Sequence, residues 1–163
     1  MKIPRPLLAF LALLIGTAIW YFGFRSSEED IIREKLEELS NTISNSSSEG
    51  LLGKAKLIST FQDLLANPVV LESRYPNAQG VRSPKELAIG YLGLIQSGQT
   101  VDLQFRSPSI SFPNEKEARV KTTVEATLTR SSGTKQNESQ TLYITLGKDS
   151  EGNWKFERFS QEI

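Results

Sequence analysis

The chain has no cysteine and no histidine among its 163 residues, and a single methionine. Without cysteine there is no disulfide, no thiol nucleophile and no lipoprotein anchor of the lipobox type. Without histidine the commonest metal ligand and general base are gone, so a Ser-His-Asp triad and a histidine-based metal site are both excluded. No metal or cofactor is expected. The 19 basic and 19 acidic residues cancel, and no basic cluster gathers on one segment. Nucleic-acid binders concentrate Lys and Arg on one face, so nucleic acid is excluded as a partner.

Hydrophobic residues make up 38% of the chain and charged residues 23%, an ordinary globular balance. The charge is unevenly placed. Lys2, Arg5 and Arg25 fall in residues 1–25, which hold no acid, so the remainder is mildly acidic. Between Arg5 and Arg25 the run Pro6–Phe24 is free of charge and almost wholly apolar. About 20 such residues cross a bilayer as a helix. A cleaved signal peptide, with its apolar core at Leu7–Ile15 and small residues at Gly16 and Ala18, is the alternative. The run continues past that point, and Trp20, Tyr21 and Phe22 stand where an interfacial aromatic belt would lie, so we read an uncleaved anchor over residues 1–25. A buried helix of a soluble domain would need a polar face, which this run lacks. Basic residues ahead of the run place the N-terminus in the cytoplasm and residues 26–163 outside it, in the periplasm of a Gram-negative cell.

The domain begins with helical signals. Ser26-x-x-Glu29 and Ser27-x-x-Asp30 have capping-box form, and Ile32, Leu36, Leu39 and Ile43 follow at helical spacing. Arg33, Glu34, Glu37 and Glu38 make the opposite, solvated face. A Ser- and Asn-rich loop, Ser44–Gly50, leads to a second helix, Leu51–Leu65, with Leu57, Phe61 and Leu64 on its stripe and Asn67-Pro68 at its end. Asn45-Ser-Ser and Asn137-Glu-Ser are glycosylation sequons, frequent by chance. Val69–Leu71 reads as a short strand and Arg74–Ser83 as a long turn. Ser83 and Pro84 open a third helix. Its buried stripe is expected at Leu87, Tyr91 and Leu94, with Ala88 and Ile95, and its stop at Gly98.

From Thr100 the period changes to two. Val101, Leu103 and Phe105 alternate with Asp102, Gln104 and Arg106. A kinked segment, Ser107–Glu117, holds Pro108 and Pro113. Ala118–Arg130 then alternates strictly, which predicts a long strand with one face on a core and one in water. A turn at Ser131–Gly133, a strand near Gln140–Leu146, a hairpin at Gly147–Gly152 and a strand at Trp154–Phe159 complete the chain. Helices first and a meander after predict an α+β domain, three helices on one face of a curled antiparallel sheet.

This order, with the ending Gly152-Asn-Trp154-Lys155-Phe156-Glu-Arg-Phe159, resembles the nuclear transport factor 2-like superfamily, also called the cystatin-like α+β cone, over about Ser27–Ile163. The anchored form is also similar to the periplasmic assembly subunits of type IV secretion systems, though only five residues precede Pro6. The superfamily hosts isomerases, dehydratases, hydrolases and non-enzymatic modules, so the resemblance implies a fold and leaves function open. Its enzymes place a carboxylate, or a His–Asp pair, inside the cone. Here the expected inner face is Val120, Thr122, Val124, Ala126, Leu128, Leu142, Ile144, Leu146, Trp154 and Phe156, none ionisable, with Asp102 on the opposite side.

The polar or aromatic side chains that could enter a pocket are Tyr91, Thr122, Trp154 and Arg158. Each has a plainer reading: Tyr91 a core aromatic with one hydroxyl partner, Thr122 a β-former, Trp154 core, Arg158 a rim residue. Asp63 reads as surface. No catalytic residue is assigned. The sequence therefore predicts a membrane-anchored, extracytoplasmic, non-catalytic binding or assembly module for a protein partner or a small apolar ligand. The alternative is a ketosteroid isomerase- or dehydratase-like enzyme, or a carrier of an apolar ligand in the cone. The outer face, with Arg119, Lys121, Glu125 and several threonines, predicts a monomer or weak homodimer.

Overall fold

The computed structural model describes residues 27–46 and 50–161, so the expected anchor over residues 1–25 lies outside the described residues. Among the described residues no helix is long and apolar enough to cross a membrane. The chain divides into two units, Met1–Glu34 and Lys35–Ile163. In the first, the described residues 27–34 are helical and carry an Arg33–Glu29 ion pair of 2.7 Å one turn apart.

Helix continues over residues 35–44 of the second unit; residues 27–44 are called α1. Leu36 and Leu39 are buried, as the spacing predicts, and Ile43 is half-buried. Next comes α2 (Gly50–Leu64), which buries Leu57, Phe61 and Leu64. It ends at Leu64 and passes directly into β1 (Leu65–Glu72). Asn67-Pro68 therefore lies inside a strand rather than at a helix end. Proline has no N–H to give a ladder, and the β1 pairing shifts register between Leu65 and Val70, where Pro68 sits.

The expected long turn contains a 3₁₀ turn, Pro76–Ala78, and a three-residue strand β2 (Gly80–Arg82) that folds back on β1. All three β2 residues are exposed, so no alternation announced it. Helix α3 (Pro84–Gln96) opens on a complete capping box between Ser83 and Glu86. At its other end Gln99 N–H donates to Leu94 O and Gly98 N–H to Ile95 O, with Gly98 at φ +78°, the Schellman pattern. The buried line of α3 is Pro84, Ala88, Leu92 and Ile95. Leu87, Tyr91 and Leu94 are half-buried flanks of that line, so the burial is rotated from the predicted stripe.

Four strands follow: β3 (Thr100–Asn114), β4 (Glu117–Thr129), β5 (Lys135–Lys148) and β6 (Trp154–Gln161). The sheet order is β2-β1-β6-β5-β4-β3. All neighbours are antiparallel except β1 and β6, which run parallel. The sheet is therefore mixed, where the sequence suggested a purely antiparallel one. The crossover arises because β1 precedes α3 and the three long strands, and the last strand returns beside it.

The expected kink at Ser107–Glu117 is a bulged continuation of β3. Its pairing to β4 slips between Arg106 and Ser109 and again between Ser111 and Asn114. Ser107 sits at φ +48°, next to Pro108, which matches a β-bulge that keeps the strand in the sheet while bending it.

Candidate functional site

Cross-strand partners in an antiparallel pair point to the same side of the sheet. The register therefore reads out the inner face directly. Ala118 faces Leu146, Val120 faces Ile144, Thr122 faces Leu142, and Leu146 in turn faces Phe156. Ala118, Val120, Thr122, Ile144, Leu146, Trp154 and Phe156 are at most 2% exposed, so this half of the face is closed by its own side chains. Further along β4 the same face carries Val124, Ala126 and Leu128, opposite Phe105, Leu103 and Val101 of β3. Val124 is still buried at 6%, but Ala126, Leu128 and the three β3 side chains are only half-covered.

The predicted site residues do not converge. Thr122 is on the inner face as expected, and its hydroxyl donates 2.8 Å to Arg106 O, at the β3 bulge. It supplies the partner that the broken ladder withholds, a structural task. Trp154 is buried against Phe112, ring centroids 6.0 Å apart, with Lys148 Nζ 4.8 Å over the indole. Tyr91 stacks on Phe61 at 6.3 Å and donates its hydroxyl to Ile43 O, a carbonyl at the end of α1. Burial pushes the Tyr91 phenol up, against a hydrogen bond with Ser46 that pulls it down.

Arg158 does not reach the inner face or its rim. It shares sequence parity with Trp154 and Phe156, but a bulge at Glu157 breaks that parity: Leu146 pairs with Phe156, and Thr145 with Arg158. Phe159 now joins Phe156 on the inner side, rings 5.6 Å apart, and Arg158 turns to the outer face, where it pairs with Glu72 Oε1 at 2.5 Å. The bulged Glu157 carboxylate lies over Gly147. A Cβ there would meet Glu157 Oε1 at 2.0 Å, so a side chain at this position would push the exposed Glu157 carboxylate aside. Asp102, opposite Thr127, is exposed on the outer side, and Asp63 is exposed, both as read from the sequence.

The inner face also carries an ionisable residue, contrary to the sequence expectation. Strand β5 begins at Lys135, well before the expected Gln140, and pairs with β4 through Thr129. Gln136, Glu138 and Gln140 consequently stand opposite Leu128, Ala126 and Val124, on the inner face. Gln140 Oε1 accepts from Gln161 Nε2 at 3.0 Å. Gln161 Oε1 accepts in turn from Ser73 Oγ and Arg74 N–H, both at 3.0 Å. Glu138 Oε1 accepts from Gln136 Nε2 at 2.9 Å. The length of β4, 13 residues, joined to β5 by the turn at Ser131–Gly133, leaves room for this longer pairing.

Across the β3 edge, α1 satisfies the backbone that β4 leaves free. Leu103 N–H donates to Ser44 Oγ at 2.9 Å, and Ser40 and Ser44 donate to Leu103 O. A sheet edge so covered cannot accept another strand there. Among the described residues no cluster of carboxylates could hold a metal ion.

This arrangement defines a class. The chain has the nuclear transport factor 2-like fold. It is similar to a nuclear transport factor 2-like superfamily protein from Salmonella enterica, with 14% identity, covering 85% of this chain and 92% of that one at a TM-score of 0.63. The association domain of Caenorhabditis elegans CaMKII gives 15%, 85%, 97% and 0.58. Hexachlorocyclohexane dehydrochlorinase LinA-type3 from Novosphingobium barchaimii gives 11%, 85%, 87% and 0.60. No protein-family model matches the chain, and no curated protein matches it. At these identities the likeness is one of fold, which enzymes and association domains share.

Proposed function

We propose that the chain is a membrane-anchored, extracytoplasmic, non-catalytic binding or assembly module. The observation that carries this is the closed half of the inner face. Its one buried polar side chain, Thr122, spends its hydroxyl on the bulge at Arg106, and proton transfer needs a positioned acid or base. The anchor rests on the apolar run Pro6–Phe24, and the outward orientation on Lys2 and Arg5 ahead of it. The likeness to an association domain fits assembly.

A second reading, an enzyme using the inner face, is favoured by the carboxylate of Glu138 on that face and by the likeness to a dehydrochlorinase. Affinity capture of the full-length chain from solubilised membranes of its own host, beside a Glu138→Gln variant, separates the two. A stoichiometric protein partner held by both forms supports the module. Turnover that collapses in Glu138→Gln, with no partner recovered, supports the enzyme. Intact mass of the membrane-extracted protein tests the anchor: the expected species retains residues 1–25, and one beginning near Ile19 would show that the segment is cleaved.

A further inference from the structure

Three carboxylates of the outer face are matched. Glu125 pairs with Arg106 at 3.0 Å, Glu117 with Arg119 at 2.7 Å and Glu72 with Arg158 at 2.5 Å. Glu138 differs on both counts. It lies on the inner side, opposite Ala126, and its hydrogen bond is to a neutral amide, Gln136. It stands in a row with Gln140, two residues on, and beside Ala126, Leu128 and, across β4, Leu103, whose apolar side chains are only half-covered.

The row is held from behind. Gln161 anchors Gln140 and is itself fixed by Ser73 and Arg74 N–H. A carboxamide oxygen has two lone pairs, so Gln140 Oε1 keeps one acceptor position after bonding Gln161. Glu138 keeps the acceptor capacity of its second oxygen. The open half of the inner face thus offers an apolar floor bordered by a carboxylate and an amide oxygen, with no guanidinium or ammonium among the described residues paired to that carboxylate.

Building on the binding reading, we propose that this half of the face takes a small amphiphile with an apolar body and a cationic amine head. Leu128, Ala126 and Leu103 receive the body and Glu138 reads the head. The charge selects the occupant. An ammonium gains a charge-assisted hydrogen bond at Glu138, a neutral alcohol gains an ordinary one, and a carboxylate is repelled. Because Glu138 is exposed, water screens the gain and the selection is modest.

The test uses the full-length chain in lipid nanodiscs and three probes of equal chain length: hexylamine, hexanol and hexanoate. Methyl NMR of Leu103 and Leu128 reports occupancy of the face itself, so partitioning of a probe into the disc does not count. The expected result is half-saturation by hexylamine at about threefold to tenfold lower concentration than by hexanol, with hexanoate weakest. In Glu138→Gln hexylamine should fall to the level of hexanol. Equal affinity for hexylamine and hexanol, or binding of hexanoate as tight as hexylamine, overturns the amine assignment and leaves the binding module standing. Methyls that none of the probes moves overturn the site altogether, while the assembly reading is judged by the capture experiment.

Discussion

The two halves of one strand face, Ala118–Val124 and Ala126–Leu128, follow the same alternation and end in different environments. On the first half every inward side chain is buried. On the second they are half-covered, and their β5 neighbours are Gln136 and Glu138 instead of Ile144 and Leu146. Alternation fixes which side of a sheet a residue faces. It does not fix what lies over that side, because cover comes from other elements. A strand can therefore be read as amphipathic along its whole length while only part of it is core.

The sharpest way to break this contrast is to place the same charge on each half. Val124→Asp puts a carboxylate among buried apolar groups. That costs several kcal/mol or keeps the acid protonated, against a total stability of about 5–15 kcal/mol for a domain. Thermal unfolding should show a protein that is unfolded or nearly so. Leu128→Asp, on the same face four residues on, should cost less than about 1 kcal/mol, since its surroundings admit water. An unchanged melting temperature for Val124→Asp would show that the whole face lines a hydrated cavity, and would favour the enzyme or carrier reading.

A smaller effect separates the polar positions of β4. Thr122→Val keeps the shape but removes the donor to Arg106 O, leaving a carbonyl at the bulge without its partner. The expected loss is about 1–3 kcal/mol in chemical denaturation. Thr127→Val, on the outer side opposite Asp102, should stay within about 0.5 kcal/mol. Equal losses at the two sites would mean that the bulge carbonyl finds water when the hydroxyl is gone.

Much of this was legible beforehand. The apolar spacing of α1, the cap at Ser83, the stop at Gly98 and the inward set of β4 come from local rules, and each is where those rules place it. What escaped was non-local. The parallel pairing of β1 to β6 depends on where the last strand returns. The outward turn of Arg158 depends on a bulge at Glu157 that no residue type announces. The expected β5 starts late because Lys135–Gln140 holds no apolar residue, and an all-polar stretch gives no alternation to count. The row most interesting for binding thus lies where periodicity is silent. Of the four predicted pocket residues, Thr122 and Trp154 are buried as read, Tyr91 serves the end of α1, and none faces Glu138 across a shared site.

The last contrast is between the hairpin turns at the two ends of β5. At the open end, Arg130–Thr134 closes through backbone bonds, with Gly133 at φ +83° and a 3.0 Å contact between the Ser132 and Thr134 hydroxyls. At the packed end the turn carries a charge. Asp149 Oδ1 accepts from Asn153 N–H at 2.8 Å and Glu151 N–H at 2.9 Å. The Asn153 N–H bond is the main reason its carboxyl sits below the ordinary aspartate value; desolvation is the next largest effect and opposes it, and the Asn153 side chain, Glu151 N–H and Lys155 lower it further. A carboxyl whose folded value is depressed contributes stability that is fully present above the unfolded value and is lost as pH falls through the folded one. Acid titration of stability should therefore show a loss that begins as pH falls to the ordinary aspartate value, is complete only below the depressed folded one, and is diminished in Asp149→Asn, which keeps an acceptor oxygen but no charge. Because the turn is exposed, the effect should be the smallest of the three, and raised salt should shrink only the part owed to Lys155. Ser132→Ala at the other turn should leave the acid profile unchanged. A matching change there would mean that the pH dependence belongs to the sheet as a whole rather than to the turn at its packed end.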